Sequence, residues 1–188
     1  FQDLGAVATG KAFDDRVGCA VLVELIRRGP YPFTVYPVFT TMEEIGLRGA
    51  RVAGFTVAPD AAFVLEGTIC DDSPKEREES PTTRLGAGPA ISIADGSVIA
   101  DRRLVRHLVA VAKDIGIPTQ FKQPGKGGTD AGAIHLTRAG VPSVPVSVPC
   151  RYIHSPVAML SQRDVAQTVD LMEAALRRFT ADVLAERD

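Results

Sequence analysis

Strand-like and helix-like segments alternate along the whole sequence, which restricts it to an α/β layered domain. The clearest element lies near the end. Val165, Val169, Met172, Leu176, Phe179 and Val183 recur at spacings of four and three, one apolar stripe on a 3.6-residue period. A helix with one such stripe must lay it on a core, and the preceding apolar runs supply the sheet for it.

Those runs read as strands over residues 5–9, 33–41, 61–65, 119–122 and 141–148, with short apolar stretches near Leu85 and over 90–93. Helices are expected over 15–28, ending at Gly29-Pro30, near 47–53, over 102–115, and over 130–139, closed by Gly140. Residues 71–83 carry Pro74, Pro81 and the charge run 75–79 and read as an exposed loop. With 188 residues, 45% hydrophobic and 23% charged, the chain fits one domain with a real core. A net charge of -2 gives no reason to expect nucleic acid or an anionic membrane as a partner. No apolar run approaches the roughly 18 residues that a membrane span needs. Cys19, Cys70 and Cys150 show no CxxC spacing, so free thiols in a reducing cytoplasm are expected rather than a disulfide framework.

Position singles out a few acidic residues. Asp14-Asp15 lies between a strand and a helix start, Glu43-Glu44 follows the run over 33–41, Glu66 ends the run over 61–65, and His154 lies just past 141–148. Carboxyl ends of strands are where open α/β sheets collect ligand sites. Carboxylates with an imidazole suit zinc, cobalt or manganese. Each alone has a bland reading: an N-cap for Asp14 or Asp15, an exposed turn for Glu43-Glu44, an arginine partner for Glu66, a structural role for His154. Joint placement argues against coincidence, but spacing leaves the reaction open. His107, among Arg102, Arg103 and Arg106, reads as exposed, and His135 as structural. The run 125–128 with Lys126 lacks the spacing of a phosphate-binding P-loop. Cys150, although near His154, has no supporting pattern of a thiol nucleophile.

Four segments carry a resemblance: 10–18 (GKAFDDRVG), 41–46 (TMEEIG), 127–132 (GGTDAG) and 149–156 (PCRYIHSP). In this order they resemble the signatures of the tetrahedral aminopeptidase family, the glutamyl and leucyl aminopeptidases once called cellulase M. The resemblance implies a zinc-peptidase-like mixed central sheet with helices on both faces and a two-metal aminopeptidase acting on peptides. It implies Asp14 as the ligand bridging two zinc or cobalt ions, with Asp15 supporting it. Glu44 and His154 complete one metal site, Glu66 belongs to the other, and Glu43 is the general base. Gly128, Thr129, Asp130 and Arg151 would line the substrate pocket or steady the ligands. Two bound cations would lower the pKa of a shared water, and Glu43 would take its proton and return it to the leaving amine.

The family's first metal ligand is an upstream histidine, and a small inserted β domain that mediates dimer contacts also lies upstream. Only thirteen residues precede Asp14, and none is histidine. Residues 1–188 therefore read as the C-terminal portion of a metallopeptidase catalytic domain, without the N-terminal strands or the insert. One metal site keeps all its protein ligands and the other keeps only Asp14 and Glu66. An exposed edge where such strands would pack points to a homo-oligomer. Two other readings compete: a glycoside hydrolase using paired carboxylates, in which His154 has no role, and a non-catalytic assembly subunit.

Overall fold

The computed structural model describes residues 1–74, 81–125 and 127–185. In chain order the elements are β1 (Gln2–Asp3), β2 (Val7–Gly10), α1 (Phe13–Arg28), α2 (Arg48–Val57), β3 (Ala62–Ile69), β4 (Ala90–Ser92), α3 (Arg102–Asp114), β5 (Gln120–Lys122), α4 (Ala131–Ile134), β6 (Ser143–Arg151), β7 (Ala158–Ser161), α5 (Gln162–Arg178) and α6 (Ala181–Ala185). They form a seven-stranded mixed sheet in the order β1-β2-β7-β6-β4-β5, with β3 pairing β6 on its other side. The β3–β6 pairing is parallel and unbroken from Ala62↔Ser143 to Ile69↔Cys150. β6, buried along eight of its nine residues, is the axis of the domain.

Paired residues share a face, and side chains alternate along a strand, so the register sorts every side chain. On one face Ile91, Val144 and Val146 join Val21 and Leu25 of α1, Leu104 and Leu108 of α3, and Val169, Met172 and Leu176 of α5. The stripe read from the sequence is this contact. Burying each of its large residues contributes about 1.5–3 kcal/mol. Its last members, Phe179 and Val183, pack on the same core across a break between α5 and α6. On the other face Val64 meets Val98, Ala131 and Ile134 beneath the short α4. The sheet thus carries helices on both sides. No helix of the described residues is long and apolar enough to cross a membrane.

Several expectations change. Residues 33–41 form no strand ladder, since no described strand pairs with them, and Tyr36, Val38 and Phe39 stay exposed. β3 continues past residue 65 to Ile69, so Glu66 stands inside the strand rather than at its end. The helix expected over 130–139 is one turn, Ala131–Ile134; Arg138 at φ 51° cannot continue it. β7 was not foreseen, nor was β1. His107 is half-buried, its Nε2 2.9 Å from the Ala175 carbonyl oxygen and its ring edge-on to Phe179. Residues 75–80, most of the foreseen charged loop, lie outside the described residues, as does Lys126.

Gly18 sets how closely α1 approaches β3. A Cβ there would press into the Leu65 carbonyl oxygen and the Asp15 carboxylate. Gly18→Ala is expected to destabilise the domain by about 1–3 kcal/mol, as overpacking typically does, read as a lower urea midpoint with an unchanged slope. An unchanged midpoint would show that α1 can slide without cost.

Candidate metal and acid–base site

Three connections converge at one end of α1. β2 pairs antiparallel with β7, Gly10 opposite Ala158, and β6 and β7 pair at Arg151↔Met159. The turn between β6 and β7 therefore lies beside residues 11–15. His154 projects from this turn with a left-handed backbone (φ 61°), as Ala12 (φ 52°) and Met42 (φ 59°) do just before the acidic pairs. Left-handed non-glycine residues cost energy and gather where function fixes the backbone. Asp14 and Asp15 open α1 with non-helical dihedrals, and the peptide between them is cis.

His154 Nε2 lies 3.2 Å from Asp14 Oδ2 and 3.4 Å from Glu44 Oε2. One donor atom from each of Asp14, Glu44 and His154 lies within 4.8 Å of the others. An ion held at about 2.0–2.2 Å from each of several N and O ligands needs donors at roughly this spacing. The group fits a divalent cation of the zinc type. Asp14 is half-buried, while Glu44 and His154 reach solvent, so an ion could enter.

Glu43 and Glu44 sit in a turn closed by Gly46 and Leu47, whose N–H groups both donate to the Glu43 carbonyl. Thr40 Oγ1 donates to Asp130 Oδ2 at 2.5 Å, tying this turn to the loop at 127–130. Glu43 is pushed up to about 7 by burial first, then by the charges of Asp130, Asp14 and Glu44. Asp15 accepts from the Gly18 N–H at 2.9 Å, an N-cap in effect, yet burial and the Asp14 charge raise it to about 8. Asp14 rises through burial and the neighbouring Glu44. Glu66, hydrogen-bonded by Ser147 Oγ at 2.9 Å, stands well above the usual range through burial, against the opposing charge of Lys122. Carboxylates crowded away from water without matching cations hold their protons, and a bound divalent ion reverses that sign.

The structure therefore brings Asp14, Glu44 and His154 within ligand distance of one another, with Glu43 and Asp15 adjacent. Glu66 lies on the α4 side of the sheet, close enough for Asp14 and Asp15 to act on it. Gly128 and Thr129 pack against Ser97, whose hydroxyl accepts from the Thr129 N–H at 3.3 Å. Thr129 Oγ1 and Asp130 Oδ1 are buried without a hydrogen-bond partner among the described residues. Arg151 Nε donates to Asp72 Oδ1 at 2.6 Å, and Asp72 Oδ2 accepts from the Leu85 N–H. Thr40, Asp72, Ser147 and Lys122 were not singled out from the sequence. Only Lys122 left a trace there, a charge closing a strand-like run.

The sequence profile of the family described as M42 glutamyl aminopeptidase matches residues 2–171. A TET aminopeptidase from a marine-sediment Thaumarchaeota archaeon superposes with a TM-score of 0.92 and 42% identity, covering 98% of this chain and 53% of that one. The TET1 peptidase of Pyrococcus horikoshii, which can assemble into a tetrahedron or a large octahedral shell, superposes at 0.75 with 30% identity, over 92% of this chain and 51% of that one. The lysyl aminopeptidase of Pyrococcus furiosus is 34% identical over 88% of this chain and 47% of its own length. The chain spans about half the length of the curated relatives it matches.

The Arg151–Asp72 tie yields a pH prediction. The Arg151 guanidinium holds the Asp72 carboxyl at about 2, below its unfolded value of about 3.9. Its contribution to stability is thus full above about pH 4 and is lost as the pH falls towards 2. Asp72→Asn should flatten the stability profile across that window, measured by urea unfolding at stepped pH. A profile as steep as that of the unaltered chain would mean that the tie does not persist in solution.

Proposed function

Since the chain belongs to the M42 glutamyl aminopeptidase family, we propose that residues 1–188 act as a metallopeptidase catalytic domain that releases the first residue of peptides. The observation that carries this reading is the convergence of Asp14, Glu44 and His154 beside a carboxylate, Glu43, whose proton affinity lies near neutrality. Asp14, Glu44 and His154 would hold one zinc or cobalt ion, and Asp14 with Glu66 would contribute to a second. When bound, such ions polarise a peptide carbonyl and make a nearby water acidic.

The chain's own residues do the rest. Glu43 accepts a proton from the attacking water and returns it to the leaving amine, a general base that then serves as the acid. Asp15 holds the Gly18 N–H and fixes the start of α1, so that Asp14 keeps its orientation. Thr40, through Asp130, sets where Glu43 stands. Negative charge on Asp14, Glu43, Glu44 and Glu66 that the bound ions leave unbalanced would attract the protonated amino terminus of a peptide and favour cleavage after the first residue. Gly128, Thr129 and Asp130 would wall the substrate cleft, while Arg151, engaged by Asp72, would steady the turn that bears His154. By likeness to the assembling TET1 peptidase, the working form would be a homo-oligomer. Glycoside hydrolysis leaves His154 without a task, and nothing in the site favours it.

Hydrolysis of aminoacyl-p-nitroanilides by the metal-loaded chain, compared with Glu43→Gln, tests the reading. The substitution should lower kcat by roughly 10²–10⁴-fold, the usual worth of a general base, with KM little changed. Equal silence of both proteins would favour the non-catalytic reading. Calorimetric titration with zinc should find one tight site, lost in His154→Ala and kept in Glu66→Gln. Two equally tight sites would refute this division of the ligands.

A further inference from the structure

The loop that carries Asp130 to Thr40 is itself pinned from behind, by residues the proposed chemistry leaves unused. Ala94 bridges Ile99, and the Asp95 N–H donates to the Val98 carbonyl at 2.9 Å, so a tight turn follows β4. Within it Asp95 Oδ1 accepts from the Ser97 N–H at 2.6 Å, the Ser97 hydroxyl at 2.8 Å and the Val98 N–H at 2.9 Å. With its proton committed to Asp95, Ser97 Oγ can only accept from elsewhere, and it takes the Thr129 N–H. One residue earlier the Gly96 N–H donates to the Gly127 carbonyl at 2.9 Å.

Two glycines let the loop come this close. A Cβ at Gly128 would stand 2.9 Å from Ser97 Oγ, and one at Gly132 would overlap the same oxygen. The Gly132 position also lies against Leu47, whose N–H closes the turn bearing Glu43 and Glu44. Asp130 has little hold of its own. It is 8% exposed, its Oδ2 accepts from the Thr40 hydroxyl, and its Oδ1 has no partner among the described residues. A buried carboxylate so sparsely bonded gains by moving to water unless its backbone is fixed. The fixing points are Gly127 on Gly96 and Thr129 on Ser97.

We infer that Ser97, oriented by Asp95, is a positioning residue for the Glu43–Glu44 turn, acting through Thr129, Asp130 and Thr40. It needs no contact with substrate or metal to do so. The inference rests on the metallopeptidase reading above for what the turn does, but not for how the turn is held. Loss of the Ser97 hydroxyl leaves the Thr129 N–H without its acceptor and releases the loop. Thr40 then loses Asp130, and the base and its neighbouring ligand leave their places together.

The test compares Ser97→Ala, Thr40→Val and the double variant with the unaltered chain, using alanyl-p-nitroanilide turnover, calorimetric zinc binding and urea midpoints. Each single variant should lower kcat and weaken zinc binding roughly 10- to 100-fold, the usual effect of removing a group that orients a metal ligand. KM should change little. The double variant should fall no further than the worse of its parents, because both act on one connection. Additive losses would overturn the inference. So would a loss confined to KM, or a Ser97→Ala chain that loses urea stability alone. Gly128→Ala displaces the loop with the Ser97 hydroxyl in place and should give the same joint loss, which keeps the inference testable if Ser97→Ala does not fold. Hydrogen exchange at the Gly46 and Leu47 N–H groups, which donate to the Glu43 carbonyl, reads the turn without metal or substrate. Faster exchange in Ser97→Ala and Thr40→Val supports the inference even if no nitroanilide is cleaved, in which case only the aminopeptidase reading fails. Unchanged exchange in Ser97→Ala overturns it.

Discussion

The parallel pairing of β3 with β6 is the constraint on which the rest of the domain depends. Its register runs unbroken over the whole of β3, and each pair decides which side of the sheet a residue faces. A slip of one residue would turn Glu66 into the helical core and Leu65 out of it. The same pairing fixes Ser147 on Glu66, and through Ala90 and Ser92 it fixes Lys122 as well. Chemistry and core are thus specified by one ladder. The close seat of α1 on Gly18 then sets Asp14 and Asp15 against the strand.

The carboxylate cluster works against folding in isolation. Asp14, Asp15, Glu43 and Glu66 all have raised proton affinities, in each case with burial as the first cause. An arrangement chosen for stability alone would have dispersed them. Here the cost is carried by two apolar layers, the larger built from α1, α3 and α5 and the smaller from α4. A divalent ion at Asp14, Glu44 and His154 would offset part of that repulsion, and its binding would then be coupled to folding.

Much of this was legible in the sequence, for identifiable reasons. The stripe from Val165 to Val183 marks α5 because a helix buries one face, although it reads as a single helix and the structure breaks it between α5 and α6. The acidic pairs stood out by position, and their segments carried the family resemblance. What stayed hidden depended on partners distant in sequence. A β-rich run such as 33–41 is a strand only if another strand lies beside it, which local propensity cannot report. β7 is short and follows a Ser-Pro turn, so no period could declare it. Glu66 seemed to end its strand because a buried carboxylate looks like a break until Ser147 is known to face it. Thr40–Asp130 and Arg151–Asp72 join residues far apart in the chain and leave no local pattern.

The extended, unladdered run before Glu43 has a mechanical meaning. Asp14 stands on a helix packed against the sheet, and His154 on a turn held between two paired strands. Glu43 and Glu44 instead stand together at the end of a span that joins no strand, tied by the Thr40 hydroxyl to Asp130 and by the Thr41 and Met42 carbonyls to the start of α2. Two of the three proposed ligands are bolted to the frame, whereas the third is moored beside the proton carrier. Releasing that mooring would move Glu44 and Glu43 together, loosening the cation cage and the base in one step. Affinity for metal and competence in proton transfer would in this way be coupled through a single turn of the chain.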